Sequence, residues 1–436
     1  MGKLAINGGK KLIGDKRVGR PLVADETYPL INKMLKNDEI SLSEVCYQLE
    51  REFADYVGVK YALCYPNGTT TIQAALYAAG VGAGDEVIVP SFTFWATVGP
   101  IVVNNAIPIF ADVSLSGQNL TAETIEPLIT EKTKAILLVH VWGVPCEMDK
   151  ITALAKKHGI KIVTDCAHAH GASYGGKKKG IIGDVGAFSL QAFKTMPGGE
   201  GGILVTDDQE IYERAVTLGH YDRIVHLSDI YGYRNLMLTG AGYKHRIHPM
   251  SAAIALGNLH RLDELNKIRN DNARRLESYI KDLGYTEFQT VPEKAERVYS
   301  YHYMRFLSEN LGNVSISAFL KALAAEGVEC GSCGYGRLHK EPLYTGENSP
   351  FGKLGPFKNP YWKDFNPPKS LPNTEILNST DFMCAPRFEY ENEEYVESYA
   401  EAYKKLKDNV DELIKYDKDH PDNIIKNNGR SINRVK

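Results

Sequence analysis

The sequence predicts an α/β protein: a mainly parallel sheet covered by helices on both faces, with a smaller α+β part behind it. Three observations predict this. Short, continuously apolar runs alternate with helical stretches over the first two thirds of the chain, as buried parallel strands do. Those runs end in polar or glycine-bearing turns, where ligands of such folds collect. Beyond about residue 270 the pattern changes to a tyrosine-rich segment and amphipathic helices, so a large unit over 1–270 and a smaller one over 271–436 are expected.

The elements follow in order. Val45, Leu49, Phe53 and Val57 share one face of a helix over 43–57. Tyr61–Tyr65 reads as a buried strand ending at Pro66-Asn67-Gly68-Thr69. An Ala-rich helix over 69–79 follows, so that turn presents backbone N–H groups at a helix N-terminus, a natural anion site. Further strands are expected at Glu86–Pro90, Ile109–Asp112, Ala135–His140, Lys161–Asp165, Val185–Ser189 and Ile203–Thr206, with a helix at Met148–His158. After Met250 the stripe Ala253, Leu256, Leu259, Leu262, Leu265 and Ile268 predicts one long helix running towards Ile280. The smaller part offers a strand at Val298–Phe306, a helix at Ser317–Glu326 and a helix from Glu391 to about Lys415. A Gly/Pro/Asn-rich stretch over 346–372 is long enough for a lid or an interface arm, and a polar tail follows about Asp417.

Composition narrows the function. The 436 residues are 43% hydrophobic and 24% charged with a formal net charge of -3, which gives no reason to expect nucleic acid or an anionic membrane as a partner. The first ten residues carry no apolar signal core, no run approaches a membrane span, and the 7 cysteines are scattered. A reduced, cytoplasmic protein is expected.

Lys194 stands out. It sits between the apolar run ending at Ser189 and the cluster Gly198-Gly199-Glu200-Gly201-Gly202, with a second apolar run behind it. An amine held between two buried strands is a nucleophile towards carbonyls, which points to a Schiff-base lysine. If its partner is pyridoxal phosphate, three further groups are needed. Asp165, at a strand end, suits the protonated pyridine nitrogen. The turn Asn67-Gly68-Thr69 and Ser189 suit the phosphate, and Ser91-Phe92-Thr93-Phe94-Trp95 offers a flat apolar partner. Taken singly, Asp165 is equally a helix cap, Asn67-Gly68 only a turn, and Phe94 and Trp95 core. Their order and shared strand-end positions make the joint case. Asp165, His168 and His170 also have a metal-ligand spacing, but no matching second half follows, so no metal is expected. The glycine cluster follows its lysine, contrary to a P-loop.

Four ordered motifs resemble the DegT/DnrJ/StrS family of pyridoxal-phosphate-dependent aminotransferases. They are Asn67-Gly68-Thr69, Pro90 to Phe94, Thr164-Asp165-Cys166-Ala167-His168-Ala169-His170-Gly171, and Phe188-Ser189 to Lys194 with Gly199-Glu200-Gly201-Gly202. The likeness runs along nearly the whole chain and implies the fold type I architecture. It further implies that Lys194 is the Schiff-base and proton-moving residue, and that Asp165 pairs with the pyridine nitrogen. Asn67, Gly68, Thr69 and Ser189 would hold the phosphate, Phe94 would stack on the ring, and His168 would lie by the ring hydroxyl. Two departures mark the chain. Gly242-Tyr243-Lys244-His245-Arg246 carries Lys244 where the family commonly has an Asn that reaches the neighbouring subunit's phosphate, so a homodimer with shared sites is implied. Gln191 stands where family members meet substrate.

In detail the sequence is similar to the glutamine:scyllo-inosose aminotransferase branch and, around Ser300-Tyr301-His302-Tyr303, to 3-amino-5-hydroxybenzoate synthases. The implied reaction moves an amino group from glutamine or glutamate to a keto-cyclitol or keto sugar. The alternatives are a dehydratase or aromatising synthase, or a non-catalytic regulator that binds the cofactor. Lys194 argues against the dehydratases, in which a histidine replaces it.

Overall fold

The computed structural model describes residues 2–14, 22–352, 359–384, 389–390 and 392–421. From 422 on, the expected tail lies outside the described residues. In chain order the strands are β1 (Tyr61–Tyr65), β2 (Glu86–Pro90), β3 (Ile107–Ala111), β4 (Thr133–Val139), β5 (Lys161–Asp165), β6 (Ser173–Tyr174), β7 (Val185–Ser189), β8 (Gly202–Thr206), β9 (Thr286–Phe288), β10 (Ala295–Glu296), β11 (Tyr303–Phe306), β12 (Cys330–Ser332) and β13 (Asp381–Cys384). The helices are α1 (Thr27–Lys36), α2 (Glu44–Val57), α3 (Gly68–Ala78), α4 (Trp95–Val103), α5 (Ala122–Ile125), α6 (Met148–His158), α7 (Gln209–Gly219), α8 (Pro249–His260), α9 (Leu262–Ile280), α10 (Ile316–Glu326), α11 (Pro342–Thr345), α12 (Pro372–Thr380), α13 (Glu393–Asp408) and α14 (Val410–Asp419).

The seven-stranded sheet has the order β1-β8-β7-β5-β4-β2-β3. Its β3-β2-β4-β5-β7 part is parallel, while β8 runs antiparallel to both β7 and β1. The alternation of strand side chains divides the apolar residues between its two faces. Cys64, Ile88, Ile136 and Leu138 join Leu49 and Phe53 of α2 and Leu256 of α8 on one side. Leu63, Val87, Val89 and Leu137 join Leu76 of α3, Val98 of α4 and Val216 of α7 on the other. Each fully buried aliphatic side chain adds about 2 kcal/mol of transfer free energy, so the two covered faces define the fold.

A second sheet, β12-β13-β11-β9, is antiparallel throughout and carries its own apolar cluster, with Phe306, Phe319, Phe382, Tyr399 and Tyr403. The four-residue β11 replaces the longer strand expected over 298–306, because the backbone before it is engaged elsewhere. Val298 N–H donates to the Gly143 carbonyl and Tyr299 N–H to the Asn270 side chain. The single helix expected after Met250 is two, α8 and α9, separated at Arg261. Within the stretch 346–372, the described part from 359 is anchored rather than free: Trp362 is fully buried and its indole N–H donates to the Ala106 carbonyl at 2.9 Å. Among the described residues no helix is long and apolar enough to cross a membrane.

Candidate active site

The sheet register brings the predicted residues to one edge. Gly202, the first residue of β8, is the cross-strand partner of both Ser189 and Tyr65, while Asp165 pairs with Ala187 one strand over. The ends of β1, β5 and β7 are therefore side by side. From Tyr65 the chain turns into α3, and Asn67 caps that helix by accepting from Thr70 N–H at 2.9 Å. The first turn of α3 lies directly against Ser189: a Cβ on Gly68 would stand 2.7 Å from the Ser189 Cβ. Only a glycine lets the helix N-terminus and the serine hydroxyl approach this closely, and together they form a cradle of N–H and O–H donors.

Asp165 is buried at the end of β5. Its Oδ2 accepts from the Thr97 hydroxyl at 2.8 Å and its Oδ1 from Ala167 N–H at 3.0 Å. Burial pushes its carboxyl above the usual range, while those two donors and the Lys194 charge pull it back. A carboxylate supplied with two neutral donors and a cation is prepared to hold a further proton on a ligand.

Lys194 lies half-buried in the loop between β7 and β8. That loop is shaped locally: Lys194 N–H donates to the Gln191 carbonyl at 2.8 Å, and the Gln191 side-chain Oε1 accepts from Phe193 N–H at 2.8 Å. The Tyr301 hydroxyl donates to the Phe193 carbonyl at 3.0 Å, and Arg269, ion-paired with Glu389 at 2.7 Å, lies beneath at the Thr195 carbonyl. Gln191 thus holds the turn that presents Lys194.

His168 is buried and stacks on the Trp142 indole, with ring centroids 5.2 Å apart and planes 13° from parallel. His170 instead packs against Phe188, so the two histidines serve different neighbours. Among the described residues no group of three or more His, Cys, Asp or Glu is arranged to hold a metal ion. His140, at the end of β4, is fully buried and pushed down to about 3 by burial, so it stays neutral.

Phe94 caps α4 and is 49% exposed; its carbonyl accepts from Thr97 N–H, which ties it to the residue that holds Asp165. Thr69 is half-buried in the first turn of α3. Lys244 stands on an exposed loop with its ammonium 5.8 Å from the Tyr221 ring centre, apart from the contacts that join Asp165, Ser189 and Gly68.

Sequence reasoning missed Thr97, Trp142 and Tyr335. Trp142 stacks on Tyr303 at 3.6 Å and on Tyr335 at 4.6 Å, and the Asp165 charge bears on the Tyr335 hydroxyl. The signal for Trp142 was present: it follows the end of β4, just as Asp165 closes β5. Thr97 bonds Asp165, and Tyr335 feels its charge, from distant parts of the chain, and no local pattern announces them.

The chain as a whole is similar to known proteins. The DegT/DnrJ/EryC1/StrS aminotransferase family model matches residues 22–353. The L-glutamine:2-deoxy-scyllo-inosose aminotransferase of Streptomyces kanamyceticus is 32% identical over 364 residues, 81% of this chain and 85% of that protein. The X-ray structure of an aminotransferase from Psychrobacter cryohalolentis superimposes with a TM-score of 0.79 at 29% identity, covering 91% of this chain and all of that one. DesV of S. venezuelae, solved in complex with a ketimine intermediate, gives a TM-score of 0.74 at 27% identity, covering 88% and 94% of the two chains.

Proposed function

Because this chain belongs to the DegT/DnrJ/EryC1/StrS aminotransferase family and is an enzyme of the fold type I class, we propose that it transfers an amino group from glutamine or glutamate to a keto-cyclitol or keto sugar, with pyridoxal phosphate as its cofactor. One observation carries the reading: Asp165, Lys194 and the Gly68–Ser189 cradle converge at one end of the sheet. The carbocyclic ketone is supported by relatives at 31–37% identity that are named for glutamine and scyllo-inosose or its derivatives.

The residues present fit the cofactor. The cradle of α3 N–H groups and the Ser189 hydroxyl, which only a glycine at 68 leaves open, suits a phosphate. Asp165, whose burial calls for a positive partner, would hold the ring-nitrogen proton, with Thr97 and Ala167 fixing its carboxyl. Asn67 caps the cradle, Thr69 lines it, Phe94 would cover the ring, and His168 would stand by the ring hydroxyl. Lys194 Nζ would hold the aldehyde carbon and, once displaced by the donor, take up and return the proton that amine transfer moves. When bound, pyridoxal phosphate supplies the electron sink that lets this proton leave carbon. Gln191, next to Lys194, would border the acceptor.

A homodimer with Lys244 reaching the partner's phosphate is part of the same proposal. Its support is the exposed apolar surface of the neighbouring segment, where Ile230, Met237 and Leu238 face outward. The division of the chain at 270/271 is likewise proposed, on the separate apolar cluster of the second sheet.

The test is amine transfer from glutamine and from glutamate to a panel of keto-cyclitols and keto sugars, read by product mass, with borohydride trapping of the cofactor. Lys194→Ala is expected to abolish the trapped adduct and to lower transfer by about three orders of magnitude or more. An undiminished adduct in that variant sinks the assignment.

A further inference from the structure

The wall beside His168 is held by a chain of buried hydrogen bonds that none of the proposed roles uses. The Trp142 indole N–H donates to Gln118 Oε1 at 2.8 Å, and Gln118 Nε2 donates to Asp381 Oδ1 at 3.0 Å. All three side chains are buried, Trp142 and Gln118 at 2% exposure and Asp381 at 1%. They come from three places: the turn after β4, the loop after β3, and the first residue of β13 in the second sheet. The link therefore crosses from the small sheet to the edge of the large one.

Two features set this chain apart from ordinary packing. Trp142 and Gln118 both have left-handed backbone, with φ of 54° and 56°. Such a conformation is strained for a non-glycine residue and persists where surrounding contacts over-determine it, most often at functional sites. Here they do: Gln289 Nε2 donates to the Gly117 carbonyl at 2.9 Å and to the Val141 carbonyl at 3.4 Å, and Asn119 Oδ1 accepts from Val141 N–H at 3.1 Å. The second feature is the carboxyl. Asp381 Oδ2 makes no well-formed hydrogen bond among the described residues; Gln118, the Arg305 charge and the nearby Trp142 N–H favour the ionised carboxyl, but Arg305 is itself paired with Glu287 at 2.6 Å. Burial pushes the Asp381 carboxyl well above its usual range. A fold that needed only packing here would be served as well by an apolar residue.

The product of this arrangement is a fixed indole. Trp142 lies against Tyr303 and Tyr335 and presents its plane to His168, the residue directly after Ala167, whose N–H holds Asp165. We propose that Asp381 is a positioning residue of the acceptor pocket: through Gln118 it holds the Trp142 indole against His168, so that the pocket wall beside Asp165 keeps one shape for a ring-shaped ketone. This rests on the amine-transfer reading above. Asp381 acts through Trp142 and touches no reacting atom.

The experiment has two readouts. Near-ultraviolet circular dichroism of the cofactor-free chain reports the Trp142–Tyr303 stack, and Trp142→Phe identifies its band. Steady-state kinetics with the best ketone of the panel report the pocket. Asp381→Leu is expected to lose the band with far-ultraviolet dichroism unchanged, and to raise KM for the ketone on the order of tenfold to a hundredfold with a smaller change in kcat. Asp381→Asn, which keeps an acceptor for Gln118, is expected to restore both. In a cycle with Trp142→Phe, the double variant should be no worse than Trp142→Phe alone. Gln118→Leu breaks the same link without touching the second sheet, and decides the matter if Asp381→Leu does not fold. An intact band in the folded variants, or losses that simply add in the cycle, overturns the proposal. If the wild-type chain aminates no ketone of the panel, the amine-transfer reading and the acceptor role fall, while the dichroism band still shows whether Asp381 holds the indole.

Discussion

Asp165 and Glu50 are both buried carboxyls beside the large sheet, and they are answered differently. Glu50 on α2 receives both terminal nitrogens of Arg223, at 2.7 and 3.1 Å, and Cys64 N–H at 2.8 Å. Asp165 receives one hydroxyl, one backbone N–H and the Lys194 charge. Burial raises the carboxyl in both cases, but only Glu50 has a bidentate cation from its own chain. Of these two, Glu50 is fully paired within the chain and serves the architecture, while Asp165, at the strand ends and short of a full countercharge, is placed for a ligand to supply it.

Exchanging each carboxyl for its amide gives the sharpest break of that contrast. Asp165→Asn is expected to lower amine transfer by about a hundredfold to a thousandfold while the cofactor-free chain melts no earlier than the wild type. Glu50→Gln is expected to do the reverse, costing about 3 kcal/mol of stability by leaving the partly buried Arg223 unanswered, with turnover per folded molecule unchanged. Urea unfolding beside kinetics of each variant checks both. If Glu50→Gln impaired turnover at full stability, the division between architecture and site would fail.

A smaller effect separates the cradle from the carboxyl. In Gly68→Ala the new Cβ meets the Ser189 Cβ at 2.7 Å, so the α3 turn or the serine must move. Overpacking of this kind costs about 1–3 kcal/mol, which predicts cofactor binding weakened by roughly tenfold to a hundredfold. Titration of the cofactor-free variant by absorbance checks it; unchanged affinity would show that the phosphate is held elsewhere.

The same division governs what could be read in the sequence. The strands of the large sheet are legible because burial on both faces leaves continuous apolar runs, and the order of Asn67, Asp165, Ser189 and Lys194 is legible because the first three stand at or just beyond strand ends and Lys194 lies in the loop that follows β7. Thr97 and Tyr335 are not, since one bonds Asp165 and the other feels its charge across separations that no local period records. The strand drawn through Val298 to His302 followed β propensity, but Val298 and Tyr299 give their N–H groups to Gly143 and Asn270. Lys244, whose implied role needs a second subunit, lies over the Tyr221 ring within one chain, so no single-chain pattern reports that role.

The smallest expected effect comes from a third kind of carboxylate setting, paired within the chain but at the surface. His260 is held between Glu26 and Glu52 at 2.6 and 2.7 Å, linking α8 to α2 and to the residue before α1. Partial burial pulls the imidazole pKa down, yet the bonds to Glu52 and Glu26 outweigh it and leave it raised above 6.5. Glu52, which burial alone would raise, is lowered below 4.5 by Gln48 and His260. The signs then fix a window. The His260 contribution is full below 6.5 and is lost as pH rises through the raised folded value, while the Glu52 contribution is present above 4.5 and fades as pH falls through the lowered one. Because the group is largely exposed, the whole effect is under about 1 kcal/mol. Urea unfolding across the neutral and mildly alkaline range should show wild-type stability falling slightly where His260→Gln stays flat, with amine transfer in the variant unchanged. A variant whose stability falls as steeply as the wild type would mean that the imidazole is not charged in the folded chain.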